Sequence, residues 1–186
     1  MSELTIHTPD TAPADSAAIL ENTAKALGFV PNLFGTFAEA PATLEAYQTL
    51  GGLFDRTSFN ATERQVVLLA ASRSNDCRYC LAAHSVIAGM QNVPRDVVDA
   101  IRDDQPIADP RLEALRQFTV AVVENRGWLA AEQLENFTSA GFGNQQILEV
   151  ILGVAMKTIS NYTNHVAATP VDTAFAGETW QPVDER

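Results

Sequence analysis

The chain has little of what usually fixes a protein's chemistry at sight. Two cysteines in 186 residues cannot staple a small disulfide scaffold. Lysine and arginine total 12 against 23 acidic residues, and no basic cluster occurs, leaving a formal charge of −11. Such a balance speaks against a nucleic-acid backbone or an anionic membrane surface as partner, and mainly confers solubility. No apolar run approaches the length of a membrane span. Met1 to Ala14 are polar and proline-bearing, unlike a charged start followed by an apolar signal segment. A cytoplasmic location is therefore expected, and there the sequons at Asn60, Asn136 and Asn161 carry no meaning. Internal repeats, low-complexity segments and alternating strand patterns are also missing.

What is present is helical periodicity, which predicts an all-α chain forming one domain over 1–186, a compact antiparallel bundle with an irregular arm at 1–13 and an irregular tail at 171–186. Asp15 to Leu27 carries Ala17, Ile19, Leu20, Ala24 and Leu27, and Gly28 stops it. Pro31 opens a short helix with Leu33, Phe34 and Phe37, and Pro41 opens a longer one through Leu44, Tyr47, Leu50, Leu53 and Phe54. Asn60 or Thr62 caps the next. There Val66, Val67, Leu69, Ala70 and Ala71 make a nearly all-round apolar surface, the mark of a central buried helix ending at Ser74 or Asn75. Pro94 starts a short helix to Ile101, and 103–110 is an acidic loop. Pro110 to Asn125 follows with Gly127 as its stop, then a helix over about 130–140. In the last, opened by Asn144 and closed by Pro170, Ile147, Leu148, Ile151, Leu152, Ala155 and Ile159 form the expected packing stripe. Phe34, Phe37, Leu69 and Phe118 are assigned to the core.

Both cysteines fall in Asp76-Cys77-Arg78-Tyr79-Cys80-Leu81-Ala82-Ala83-His84. On a helix running from about Cys77 to Met90, steps of three and four put Cys77, Cys80 and His84 on one stripe. Ser74, Asn75 and Asp76 are candidate N-caps, so the cysteines sit in the first turn, where free N–H groups and the helix dipole favour thiolate over thiol. A dithiol at CxxC spacing in a reducing compartment reads as redox or nucleophilic, with His84 as proton-transfer partner. Two buried apolar thiols, or a zinc site, are the rival readings. For zinc this helix offers at most three ligands, and a second CxxC is absent.

The run Glu63-Arg64-Gln65-Val66-Val67-Leu68-Leu69 followed by Asn75 to His84 resembles the carboxymuconolactone decarboxylase superfamily, in its alkylhydroperoxidase D-like branch. Leu27 to Phe34, Pro41 with Leu44-Glu45-Ala46-Tyr47, and Asn161-Tyr162-Thr163-Asn164-His165 extend the likeness over most of the chain. The resemblance implies an all-helical fold, homo-oligomers, and a peroxide-reducing thiol cycle with no metal or organic cofactor. It further implies Cys80 as the peroxide-attacking thiolate, Cys77 as the resolving thiol that closes a disulfide, and His84 as base or relay. The partners it implies are a hydroperoxide substrate and an external thiol reductant. One position departs: where the branch usually carries a relay glutamate, this chain has Gln65, which can hydrogen-bond but cannot accept a proton. Glu63, the nearest carboxylate, lies about 200° round the helix from it. Tyr79 stands between the cysteines, where alkylhydroperoxidase D has another histidine. Glu63, Tyr79 and His165 are the candidate pocket neighbours. Lactone decarboxylation, which needs no dithiol, and a non-enzymatic redox sensor or partner-binding protein are the alternative functions.

Overall fold

The computed structural model describes residues 4–181, which form nine α-helices and one 3₁₀ helix with no strand. The expected helices are present: α1 (Ala14–Leu27), α2 (Asn32–Phe37), α3 (Pro41–Phe54), α4 (Ala61–Ser74), α5 (Arg78–Met90), α6 (Arg95–Arg102), α7 (Pro110–Glu124), α8 (Ala131–Ser139) and α9 (Asn144–Ala167). Their ends follow local chemistry. Gly28 closes α1 in the left-handed region at φ 82°, where a side chain would be strained. Asn60 and Glu63 form a reciprocal capping box, Asn60 Oδ1 accepting from Glu63 N at 3.0 Å and Glu63 Oε2 from Asn60 N at 2.9 Å. None of the helices is long and apolar enough to cross a membrane.

α4 is the hub. Val66, Val67, Leu69, Ala70 and Ala71 are all buried, and the helix packs against α5, α6, α7 and α9. Two apolar clusters flank it. One runs through α4, α7 and α8, where Phe137 is sandwiched between Phe118 at 4.0 Å and Phe142 at 4.5 Å between ring centroids. The other lies between α1, α2, α3 and α5, and contains Cys77, Tyr79 and Cys80 beside Leu20, Leu33, Phe37 and Leu44.

Two expectations are corrected. In α9 the apolar stripe does not mark the inner face: Leu148, Ile151 and Ala155 are exposed, while Val150, Gly153, Met156, Lys157, Ser160, Asn161 and Asn164 are buried. α9 carries apolar residues on more than one side, and its C-terminal half buries a polar row instead. Close approach selects that face, since a Cβ on Gly153 would come within 2.8 Å of Phe54 and Val67. The tail is also not irregular throughout. Thr173–Glu178 is a 3₁₀ helix lying on α5, and Trp180 is 2% exposed with its Nε1 donating to Arg102 O at 2.9 Å. Residues 182–186 of the expected tail and 1–3 of the arm lie outside the described residues.

Candidate functional site

Three residues turn the chain from α4 into α5, and they do so at the cysteines. Asn75 closes α4, and Asp76 adopts φ 49° with its carboxylate held by Arg73 at 2.7 Å. Cys77, in extended geometry, is itself the N-cap of α5. None of Ser74, Asn75 or Asp76 caps α5, because these residues complete α4 and its reversal. Cys80 falls in the first turn, as the spacing predicts. Both cysteines are free and buried.

The surroundings of the Cys80 sulfur come from α9 and α3. Asn164 Nδ2 reaches Cys80 Sγ at 3.3 Å and Cys77 Sγ at 3.8 Å. Ser160 Oγ lies 3.7 Å from Cys80 Sγ. One turn earlier on the same face, Lys157 is fully buried; among the described residues its Nζ has no oxygen or nitrogen partner, and it faces the Cys80 sulfur. Burial pushes the Cys80 thiol up, but hydrogen bonding with Cys77, the Lys157 charge and the Ser160 hydroxyl outweigh it, holding the thiol well below its ordinary value. Cys77 moves the opposite way, raised by its hydrogen bond to Cys80, by burial and by the neighbouring negative charge. Burial alone would depress Lys157; Cys80, Tyr47 and Cys77 raise it instead. The shifts run in one sense, favouring negative charge on Cys80, the proton on Cys77 and positive charge on Lys157.

His84 is buried one turn beyond Cys80, but its hydrogen bond runs to α4. Its Nδ1 meets Gln65 Oε1 at 3.1 Å, and Gln65 Nε2 donates to Gln91 Oε1 at 3.1 Å. An amide oxygen only accepts, so Nδ1 carries the proton and Nε2 the lone pair. Among the described residues no hydrogen bond joins His84 to either sulfur. Burial first, and the Lys157 charge second, hold the imidazole well below its usual range, so it is neutral.

Cys80, His84 and Lys157 line one wall of a cavity of about 560 Å³. Phe29, Phe34, Leu33, Val86 and Phe175 supply its apolar walls, and the exposed Leu27 and Met90 stand at its rim. Phe34 is therefore lining and not core, while Phe37, Leu69 and Phe118 are core. A cavity of this size takes a small organic molecule. Tyr79 closes one side: its hydroxyl donates to Asp172 Oδ2 at 2.5 Å and accepts from Leu33 N at 3.3 Å, and Asp172 also accepts from Asn32 N at 3.0 Å. Burial and the Asp172 hydrogen bond push the Tyr79 phenol up, so it acts as a strut.

Among the candidate residues, Cys77, Cys80 and His84 are brought together, Gln65 contacts His84, and Tyr79 lines the cavity. Glu63 does not belong: its carboxylate is taken by the Asn60 cap and by Arg111 Nη2 at 3.2 Å. His165 does not belong either. It is exposed beside Tyr162, because one residue past Asn164 is about 100° round the helix from the buried row. Lys157, Ser160 and Asp172 are missing from the sequence reading, and Tyr47 figures there only as a helix residue and in the family likeness. The signal available was the polar spacing 157, 160, 161, 164 on a largely apolar helix. Among the described residues no group of three or more His, Cys, Asp or Glu side chains is placed to hold a metal ion.

Residues 41–121 match the carboxymuconolactone decarboxylase family. No curated protein matches the chain. Among solved structures, a peroxidase-related protein with an alkylhydroperoxidase AhpD core from Ralstonia eutropha JMP134 superposes with a TM-score of 0.83 at 21% identity, over 97% of this chain and 98% of that one. A peroxidase-related protein from Silicibacter sp. TM1040 gives 0.77 at 19% identity, over 95% and 96%. The debrominase Bmp8, as a cysteine-to-alanine variant in complex with 2,3,4-tribromopyrrole, gives 0.80 at 19% identity, over 100% and 97%.

Proposed function

Taking as premise that the chain has the alkylhydroperoxidase D-like fold and carries the carboxymuconolactone decarboxylase family segment at 41–121, we propose that it is a thiol-dependent reductase of organic hydroperoxides. Cys80 attacks, Cys77 resolves, and an external thiol resets the pair. The observation that carries this reading is a buried pair of free cysteines, both within reach of Asn164 Nδ2, with Cys80 lining an apolar cavity.

The thiolate attacks the outer peroxide oxygen, displacing the alkoxide, and becomes a sulfenic acid; Cys77 then condenses with it, releasing water and leaving a Cys77–Cys80 disulfide. An external dithiol returns both sulfurs by exchange. The site stores two electrons and needs no further group to do so. Asn164 Nδ2, within reach of both sulfurs, keeps them on one side of the helix start. Lactone decarboxylation makes no use of this dithiol.

A second reading shares the cycle. The aromatic lining of the cavity also suits a halogenated aromatic compound, and Bmp8, a debrominase, has the same fold. There the thiolate would take the halogen, the ring carbon a proton, and Cys77 would expel halide as the disulfide forms.

Stopped-flow mixing of reduced protein with tert-butyl hydroperoxide and with a bromopyrrole, followed by intact mass, separates the two. Rapid loss of two mass units with the peroxide, abolished in Cys80→Ser, is the expected result. Oxidation by neither compound would leave the redox-sensor alternative.

A further inference from the structure

Lys157 moves no proton in the chemistry described so far, yet its placement is costly. A fully buried ammonium that finds no oxygen or nitrogen partner among the described residues normally loses its proton or its place. Here it lines the cavity together with Cys80, one helical turn before Ser160, whose hydroxyl is 3.7 Å from the sulfur. What keeps it charged is the thiolate, and the thiolate is what the reaction consumes.

We propose that Lys157 is the catalytic acid of the site, giving its proton to the oxygen that leaves when Cys80 attacks a hydroperoxide. The role rests on the hydroperoxide reading above. In the first step the Cys80 sulfur forms a bond to the outer oxygen, the O–O bond breaks, and the sulfur is oxidised as the peroxide is reduced. The departing alkoxide takes the Lys157 proton, so the products are the alcohol, the sulfenic acid and a neutral amine. In the second step that amine takes the Cys77 thiol proton and passes it to the hydroxide displaced as the disulfide forms. Reduction by an external dithiol supplies two electrons and two protons, one restoring the Cys77 thiol and the other the Lys157 ammonium.

The timing follows from charge. Before attack the thiolate holds the proton on Lys157; once sulfur is neutral, the ammonium is an unpaired buried cation and a far stronger acid. The other groups facing it are poorer donors. His84 is neutral with its Nδ1 proton committed to Gln65, Tyr47 from α3 is a buried phenol, and the Cys77 proton is needed in the second step. A lysine acid explains how a site with glutamine at position 65 moves protons.

The test uses Lys157→Met, which removes charge and proton, and Lys157→Arg, which keeps charge but cannot release a proton at working pH. Iodoacetamide rates against pH first give the thiolate fraction of each variant. Per thiolate, oxidation by tert-butyl hydroperoxide, whose leaving alkoxide is strongly basic, should fall about 10²-fold or more in both variants. Oxidation by peracetic acid, whose leaving acetate needs no proton, should fall far less. Equal losses with both oxidants overturn the proposal. Independently of any peroxide, oxidising the dithiol at neutral pH with a nitrobenzoate aryl disulfide, whose thiolate product stays unprotonated, should release about two protons in wild type and about one in Lys157→Arg. One proton from wild type also overturns it. Wild type inert to tert-butyl hydroperoxide but releasing two protons would sink the peroxidase reading and leave Lys157 as the redox-linked proton carrier.

Discussion

The two clusters on either side of α4 are built by opposite rules. On the α7–α8 side, Phe118, Phe137 and Phe142 stack at 4.0 and 4.5 Å within an apolar cluster, capped at its edge by the Arg111 guanidinium over Phe142. On the α5–α9 side the protein buries a lysine, two cysteines, a histidine and two asparagines, and leaves a cavity of about 560 Å³. Close packing is worth more in stability than such a polar, hollow region. The comparison teaches that this fold concentrates its stability on one face of its central helix and places its chemistry on the other.

The largest expected effect breaks the first side alone. Phe137→Ala removes the middle ring of the stack and should cost about 3–5 kcal/mol in denaturant unfolding. The iodoacetamide pH profile of Cys80 should be unchanged while the protein remains folded; a shifted profile would mean the two sides are coupled.

The second breaks the other side by charge. Cys80→Ala leaves Lys157 as an uncompensated buried cation and should cost about 3 kcal/mol near neutral pH. Most of this should return in Cys80→Ala/Lys157→Met. Lys157→Met alone should cost less, since Cys80 can simply protonate. The pH dependence has a definite sign. Cys80, depressed in the folded state, contributes fully above the ordinary thiol value of about 8.5, and that contribution fades as pH falls through its folded value. Lys157, raised in the folded state, contributes fully below its ordinary value of about 10.4 and fades as pH rises through its folded value. Relative to the double variant, wild type should therefore be most stable between about pH 8.5 and 10.4, losing ground on either side. Parallel curves for the two proteins would mean that the pair is not ionised.

Where the two sides meet, α9 crosses α4 at Gly153. Gly153→Ala would drive a methyl group to within 2.8 Å of Phe54 and Val67, costing about 1–3 kcal/mol through strain. Because Lys157 is one turn further along, the same change should slow Cys80 alkylation, linking a packing defect to a chemical one.

Sequence reading succeeds where one physical signal dominates. α4 is legible because its residues are apolar on all sides, and Cys77, Cys80 and His84 because they share one short helical stripe. α9 defeats the same reasoning. Its apolar residues outnumber its polar ones, so periodicity selects a face carrying Leu148 and Ile151, both largely exposed. The inner face is chosen instead by the close contact at Gly153 and by the sulfur that Lys157, Ser160 and Asn164 surround. Asp172 and Trp180 are equally hidden, since a tail without periodicity gives no hint that it locks onto α2 and α6.

The smallest expected effect concerns Gln65 and sharpens the same contrast. If a missing carboxylate limited proton transfer, Gln65→Glu should raise turnover by the 10² or so that such groups command. The geometry predicts otherwise. Gln65 reaches His84 Nδ1 and Gln91, among the described residues no hydrogen bond joins His84 to either sulfur, and thiolate character on Cys80 is favoured from the α9 side. A glutamate there should raise the His84 pKa, visible in its ring proton shifts, because a carboxylate beside Nδ1 favours imidazolium. It should also cost about 1 kcal/mol by leaving Gln91 Oε1 without its donor. Peroxide turnover should stay nearly constant. A large rise in turnover would return the proton path to His84 and remove it from α9.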